Sequence, residues 1–145
     1  MLTTDQKGAT AELAIAHAAA ELGVGVFRPL TDGERYDLIF NLRPRLVRVQ
    51  CKWAPIEGET VVVRCYSNRR AREGLRRRFY TANEADAIAA YCPDLDRCFL
   101  VPSERFDGRS QLLLRLAPSR NNQRRGINWA DEFDFGARLT ALRGP

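Results

Sequence analysis

Small and apolar residues recur at helical spacing at the start of the chain and predict an amphipathic helix over about residues 4–22. The repeating face consists of Gly8, Ala11, Glu12, Ile15, Ala19 and Leu22. Thr3 and Gln6 have the spacing of a capping box, and Gly23 suits the position that follows the helix. Because a carboxylate on an apolar stripe costs free energy unless it is paired, Glu12 is either held by an arginine or functional.

Shorter hydrophobic runs, several with alternating polar residues, follow this helix and predict strands. The expected strands are 24–27, 36–40, 45–53, 61–65, 97–101 and 112–116. Few residues separate the second strand from the third, so these two are expected to form an antiparallel hairpin. A second helix is expected over 84–91, ended by Pro93. The order of elements predicts an α/β (α+β) fold with a mixed central β-sheet flanked by helices, in one domain spanning residues 1–145.

The third strand divides its side chains between two chemically different faces, because successive residues of a strand point to opposite sides. Val47, Val49, Cys51 and Trp53 form the apolar face, and Leu46, Arg48, Gln50 and Lys52 form the other. On the hairpin partner, Asp37 interrupts an otherwise apolar run. Asp37, Gln50 and Lys52 can therefore converge at one end of the hairpin, and Glu12 can reach them from the first helix.

This set of residue types suits the hydrolysis of phosphodiesters. Carboxylates can hold a divalent metal, which polarises the phosphate and lowers the pKa of its bound water. Hard oxygen ligands favour Mg²⁺, and Mn²⁺ can substitute. A neighbouring lysine can orient the nucleophile or offset developing negative charge. The alternative is an ordinary solvent-facing strand with a turn-forming Asp37.

Composition narrows the class of protein further. The chain has 145 residues, of which 45% are hydrophobic, and it lacks both an 18-residue apolar run and a signal-peptide pattern. We therefore expect a cytoplasmic, nucleoid-associated protein that does not bind membranes. None of the four cysteines forms a Cys-x-x-Cys pair, and His17 is the single histidine, so buried free thiols are expected rather than a zinc site.

Positive charge is concentrated in two arginine-rich runs within a chain of net charge +5. Lysine occurs only at Lys7 and Lys52, and arginine binds phosphate oxygens through two parallel hydrogen bonds. The first run contains Arg69, Arg70, Arg72, Arg76, Arg77 and Arg78. The second contains Arg115, Arg120, Asn121, Asn122, Gln123, Arg124 and Arg125. Both are expected to contact DNA, with a solvated arginine surface as the alternative.

The arrangement of Asp37, then Gln50-Cys51-Lys52, with Lys7-Gly8-x-x-x-Glu12 before them, resembles the PD-(D/E)XK nuclease superfamily. The Lys-Gly-x-x-x-Glu opening is similar to archaeal Holliday junction resolvases. The glutamine in place of the middle acid is similar to group I intron-associated homing endonucleases of this superfamily. Later segments resemble that branch too, namely Ala-Ala-Tyr-Cys-Pro, Cys-Phe-Leu-Val-Pro, and Asn-Asn-Gln before Gly-Ile-Asn-Trp-Ala.

The resemblance implies a role for each residue of the motif. It implies that Asp37 and Glu12 bind metal, that Lys52 supports the nucleophile, and that Gln50 takes the position of the middle acid and offers a carbonyl ligand. No proline precedes Asp37, which departs from the general pattern. The resemblance also implies a restriction-endonuclease-like core and a homo-oligomer, dimer or tetramer.

Three functions follow as hypotheses. The first is a Mg²⁺-dependent endonuclease acting on double-stranded DNA, as homing enzymes do. The second is a structure-selective Holliday junction resolvase. The third, motivated by the amide at Gln50, is a DNA-binding protein with a decayed nuclease fold.

Overall fold

The computed structural model describes residues 1–118 and 126–144, with the side chains of Arg69 and Arg70 excepted. The helices and strands, in chain order, are α1 (Thr4–Glu21), β1 (Gly25–Phe27), β2 (Leu38–Asn41), β3 (Leu46–Trp53), β4 (Ile56–Glu57), β5 (Thr60–Arg64), β6 (Tyr66–Ala71), β7 (Gly74–Phe79), β8 (Ala87–Cys92), β9 (Arg97–Pro102), α2 (Ser103–Phe106), β10 (Gln111–Arg115), β11 (Asn128–Trp129), a 3₁₀ turn (Ala130–Phe133) and α3 (Phe135–Arg143). Within these ranges, no helix is long and apolar enough to cross a membrane.

The first helix begins where the sequence predicts. The Gln6 backbone N–H donates to Thr3 Oγ1 at 3.2 Å, and the Thr3 backbone N–H donates to Gln6 Oε1 at 2.9 Å. This reciprocal pair is the predicted capping box, and it satisfies backbone donors that the first turn leaves without helical partners. Gly23 has a positive φ of 74°, which lets the chain turn out of the helix at little steric cost.

A five-stranded sheet forms the centre of the molecule in the order β1-β2-β3-β8-β9. The predicted hairpin is confirmed, because β2 and β3 pair antiparallel with Leu38 opposite Val49. Strands β3 and β8 run parallel, whereas the remaining pairs are antiparallel. The central sheet is therefore mixed, as expected, and the α/β fold class is confirmed.

The helix expected over 84–91 is wrong, because residues 87–92 form the strand β8. This strand lies between β3 and β9, and Ala87, Ile88, Ala89 and Ala90 are all fully buried. Alanine favours helices in isolation, but tertiary burial overrides so weak a preference. A strand covered on both faces also lacks the polar alternation by which strands are recognised in sequence.

Two hydrophobic clusters cover the two faces of the central sheet. Helices α1 and α3 pack on one face, where Ile15 and Leu139 meet Val47 and Val49. The other face packs against a second sheet of order β11-β10-β5-β4, through residues that include Val63 and Leu114. All four cysteines are free, and three of them are buried while Cys98 is half-buried, so the expectation of free thiols is confirmed.

The first arginine-rich run forms a separate two-stranded antiparallel sheet, β6 paired with β7. We call residues 66–79 the basic hairpin. Sequence analysis placed no element here, because the run lacks apolar alternation. The helix α3 was not anticipated either, since its few apolar side chains form only a short stripe.

Candidate active site

Asp37 lies at the end of the β2–β3 hairpin, one residue before β2 begins. Its backbone N–H donates to the Val49 carbonyl at 2.9 Å, which continues the antiparallel pairing of the two strands. Extending that register by one pair places Asp37 opposite Gln50. The Asp37 Oδ2 accepts a hydrogen bond from the Cys51 backbone N–H at 2.9 Å. The carboxylate thus takes the place of a strand carbonyl and is fixed in position by the strand that bears Gln50 and Lys52.

Lys52 projects from the polar face of β3 toward the base of the basic hairpin. Its Nζ donates to the Tyr66 carbonyl at 2.8 Å and lies 4.8 Å from the centre of the Tyr80 ring. Burial lowers the pKa of Lys52, and the nearby Asp37 charge opposes that shift. Gln50, on the same face, is half-buried and its Nε2 donates to the Cys51 carbonyl at 3.4 Å.

Glu12 reaches the site from α1 and lines an open polar cleft together with Asp37 and Arg28. Its Oε1 lies 3.2 Å from Arg28 Nε, so the arginine pairing considered from the sequence is present. Burial raises the pKa of Glu12, and the charge of Asp37 raises it further against the opposing effect of Arg28. Burial also raises the pKa of Asp37, although the Cys51 hydrogen bond and the Lys52 charge act against it.

Glu12 and Asp37 lie in one cleft, and the pKa of each is raised, so each is costly to ionise in the free protein. A divalent cation bound to both carboxylates would favour their charged forms. Their oxygens are the ligand type that Mg²⁺ and Mn²⁺ prefer, and Gln50, opposite Asp37 in the strand register, carries an amide oxygen of the same type. Within residues 1–118 and 126–144, no three His, Cys, Asp or Glu side chains come together as a ready metal cluster. A cation here would therefore rely on Glu12, Asp37, Gln50 and non-protein ligands such as water or phosphate.

Sequence analysis missed Arg35, which links the segment before β2 to the basic hairpin. Its guanidinium Nη1 donates to Ser67 Oγ at 2.7 Å, and Nη2 donates to the carbonyls of Arg78 and Phe79 at 3.1 Å each. Its Nε lies 3.2 Å from a Glu84 carboxylate oxygen. An arginine two residues before Asp37, and so on the same side of an extended chain, was the available signal.

The structure describes the side chains of some, but not all, of the arginines that were predicted to contact DNA. Arg76, Arg77 and Arg78 lie exposed on β7, and Arg72 is exposed at the turn of the basic hairpin. The side chains of Arg69 and Arg70 are outside the described part of the chain, as are residues 119–125 with Arg120, Asn121, Asn122, Gln123, Arg124 and Arg125. From the second run, Arg115 lies half-buried on β10, where its Nε donates to the Ala117 carbonyl at 3.1 Å.

Comparison with known proteins bears directly on this arrangement. The family model described as PD-(D/E)XK endonuclease matches residues 2–136. Among solved structures, the chain is similar to the bacterial homing endonuclease I-Ssp6803I, with 26% sequence identity and a TM-score of 0.79. The match covers 99% of this chain and 96% of that one. A comparison with curated proteins gives no match.

Proposed function

The chain belongs to the PD-(D/E)XK endonuclease family, and we propose that it hydrolyses phosphodiester bonds of double-stranded DNA with Mg²⁺ at the cleft between α1 and the β2–β3 hairpin. That it is a DNA endonuclease follows from the family and from the similarity to a homing endonuclease over nearly the whole of both chains. The residues of the proposed site are Glu12, Asp37, Gln50 and Lys52.

One observation supports this site above others. The Asp37 carboxylate is held by the backbone of Cys51, between Gln50 and Lys52, while Glu12 faces it across the cleft. Glu12 and Asp37, which are 25 positions apart in sequence, line one cleft, and the strand that holds Asp37 also carries Gln50 and Lys52. A turn-forming aspartate alone would not account for a second carboxylate, Glu12, in the same cleft or for the half-buried Lys52 on the adjoining strand.

PD-(D/E)XK nucleases generally use divalent metals, and here a bound Mg²⁺ would supply a polarised phosphate and a water of lowered pKa. Asp37 and Glu12 would hold the cation through carboxylate oxygens, with Gln50 offering its side-chain carbonyl. Mn²⁺ fits the same oxygen ligands. Lys52 would orient the attacking water or offset charge on the phosphoryl oxygens.

The basic hairpin supports double-stranded DNA as the substrate. Its base contacts Lys52 through the Tyr66 carbonyl, so DNA held along β7 would lie next to the proposed site. The exposed arginines of β7 can neutralise phosphates on either side of the scissile bond. We propose the second arginine-rich run, Arg115 to Arg125, as a further DNA contact on the strength of its charge.

Self-association is part of the proposal. A single site of this kind cleaves one strand, whereas a break in both strands requires two sites facing opposite strands. A homo-oligomer with two-fold symmetry, a dimer or a tetramer, would supply them.

The direct test is cleavage of supercoiled plasmid carrying a library of targets, in Mg²⁺ and in Mn²⁺. We expect the wild-type protein to nick or linearise the plasmid, and we expect Asp37→Asn and Lys52→Ala to abolish cutting while retaining DNA binding. Asp131→Asn is the matched control, because Asp131 is exposed on the 3₁₀ turn and pairs only with Arg97 among the described residues. Cutting by both site variants would exclude this site.

A second measurement tests metal binding without turnover. Adding Mg²⁺ should raise the melting temperature of the wild-type protein, because a ligand that binds only the native state stabilises it. Asp37→Asn should remove most of that increase, whereas Asp131→Asn should retain it.

Four-way junctions offered beside linear duplexes would reveal a resolvase, since that activity requires a preference for the branch point.

A further inference from the structure

The two faces of the basic hairpin differ in what they contact. Residues that lie opposite each other in an antiparallel pair share a face, and successive residues alternate between faces. The register pairs Ser67 with Arg78, and it pairs Asn68 with Arg77. Ser67 and Arg78 therefore belong to one face, and Asn68 and Arg77 belong to the other.

The face that bears Ser67 and Arg78 is turned toward the body of the protein. Ser67 Oγ accepts from Arg35, and Arg78 Nη2 lies 3.1 Å from the Glu84 carboxylate. Arg76, on the same face, pairs with Glu73 at 3.0 Å. The described arginines of this inner face thus already have carboxylate partners within the chain.

The opposite face, which we call the outer face, consists of Tyr66, Asn68, Leu75, Arg77 and Phe79 within the described side chains. Asn68, Leu75 and Arg77 are exposed, and 71% of the Leu75 surface is open to solvent. The Arg77 guanidinium carbon lies 4.6 Å from the centre of the Tyr66 ring. In the described part of the chain, no carboxylate forms an ion pair with Arg77.

Stacking on Tyr66 restricts the Arg77 side chain while leaving its hydrogen-bond donors available. Arg35 and Lys52 fix the base of the hairpin from the other side, so the outer face keeps one orientation relative to the proposed active site. A side chain that is restricted before binding loses less entropy when it binds, which favours a specific contact.

We propose that the outer face, through Asn68, Leu75 and Arg77, enters the major groove and reads base edges, while Arg76, whose side chain is 66% exposed beside the hairpin turn, contacts a phosphate. A two-stranded antiparallel ribbon fits the major groove, and six residues per strand extend about 20 Å. Arginine pairs with the O6 and N7 of guanine, asparagine pairs with the N6 and N7 of adenine, and an apolar side chain contacts the thymine methyl group. The inference deepens the proposed function and rests on it.

The test compares sequence preference between one arginine of each face. Randomised duplexes bound by the wild-type protein are selected and sequenced, with EDTA and separately with Ca²⁺, and the selection is repeated for Arg77→Gln and Arg76→Gln. We expect Arg77→Gln to lower the preference by about tenfold or more at one or two adjacent base pairs. Asn68→Ala should act at a neighbouring position.

Arg76→Gln is the matched control, because it removes the same charge from the same strand. We expect it to weaken binding to all sequences alike and to make the log–log salt dependence shallower by about one, with sequence preference retained. Melting temperatures of all variants should remain near that of the wild-type protein, since these side chains are exposed.

The outcomes separate this inference from the proposed function. If Arg77→Gln weakens all sequences equally, or if Arg76→Gln is the variant that changes preference, the outer face does not read bases. If the wild-type protein cleaves plasmid but selects no sequence, the inference fails and the proposed function stands. If it neither binds duplex DNA nor cleaves it, both fail.

Discussion

Gln50 differs chemically from the acid that its position in the motif would hold, and this difference has consequences for metal binding. Glu12 and Asp37 already resist ionisation, with pKa values raised by burial. A third carboxylate beside them would increase both the repulsion in the free protein and the attraction to a cation. The amide therefore reduces the negative charge of the proposed site, and we expect it to weaken the binding of a divalent cation there.

We expect Gln50→Glu to lower the metal concentration required for half-maximal cleavage and to lower the melting temperature without metal. Titrating Mg²⁺ in a cleavage assay and in a thermal melt would measure both effects. Gln111→Glu is the control, because Gln111 lies exposed at the start of β10. A metal requirement that Gln50→Glu leaves unchanged would argue against a ligand role for this residue.

Asp86 is expected to make the stability of the fold depend on pH. Its Oδ2 accepts from the backbone N–H and Nε of Arg48, and its Oδ1 lies 3.0 Å from Arg48 Nη2. Burial alone raises the pKa of Asp86, but the Arg48 hydrogen bonds outweigh it, so the pKa lies below the ordinary value of 3.8. A lowered carboxyl pKa contributes stability above the unfolded-state value, and that stability is lost as pH falls through the folded-state value.

We therefore expect the free energy of unfolding to decrease as the pH falls below about 3.8. Asp86→Asn should lower stability at neutral pH and flatten this decrease. Urea unfolding followed at several pH values would show it, with Asp32→Asn in the exposed loop before Asp37 as the control. A decrease of equal steepness in wild type and Asp86→Asn would assign the pH dependence to other carboxyl groups.

At the scale of elements, Arg35 makes most of the side-chain hydrogen bonds that hold the basic hairpin, and Lys52 adds one more through the Tyr66 carbonyl. Arg35 is 17% exposed and donates to one side chain and two carbonyls of the basic hairpin. It also lies 4.2 Å from the Tyr80 ring centre, beside Lys52. The direction in which the basic hairpin projects is thus influenced by the segment that leads into β2, two residues before Asp37.

We expect Arg35→Gln to lower the free energy of unfolding by about 2 kcal/mol, because several charged hydrogen bonds are lost. Amide hydrogen exchange should accelerate within residues 66–79, and cleavage should fall more than DNA affinity. Arg35→Lys should not rescue cleavage, since an ammonium cannot reach all of these acceptors at once. The exposed Arg72→Gln is the control for stability, and equal effects of the two glutamine variants would contradict the role assigned to Arg35.

The strand β8 is tested by a substitution whose effect on stability differs between a buried strand and an exposed helix face. Ala90 is fully buried against the second sheet, so Ala90→Leu should destabilise the protein by about 1–3 kcal/mol through overpacking. On the exposed side of a helix, leucine would be nearly neutral. Denaturant unfolding measures the difference, and Ala9→Leu on the exposed face of α1 is the matched control. A neutral Ala90→Leu would be inconsistent with a central strand.

At the scale of the whole molecule, the proposed oligomer predicts how mixed assemblies cut. If each subunit cleaves one strand, an assembly that pairs one wild-type subunit with one Lys52→Ala subunit should nick plasmid without linearising it. Gel analysis of products across mixing ratios would measure this, with sedimentation giving the size of the assembly. If the amount of linear product instead follows the wild-type fraction alone, and nicked DNA does not accumulate, the subunits act independently.

Individual residues show how much of the proposed active site the sequence could predict. Asp37, Gln50 and Lys52 were placed together from the alternation of β3 and the short hairpin turn, and both are local features. Glu12 was placed by the apolar face of α1 around it. Arg35 could not be placed in this way, because its partners in the basic hairpin lie 32 to 44 positions away in sequence and are brought near only by folding.

By itself the sequence determined the features that depend on neighbours along the chain. These are the capping box of α1, the polar and apolar faces of β3, the β2–β3 hairpin and the motif that identifies the family. Only the tertiary structure decided that residues 87–92 form a central strand and that the basic hairpin has an inner and an outer face. The physical reason is that the periodicity of polar and apolar residues depends only on residues that are neighbours in sequence. Whether a strand is buried on both faces, and which group pairs with a charged side chain, depend instead on segments that are distant in sequence.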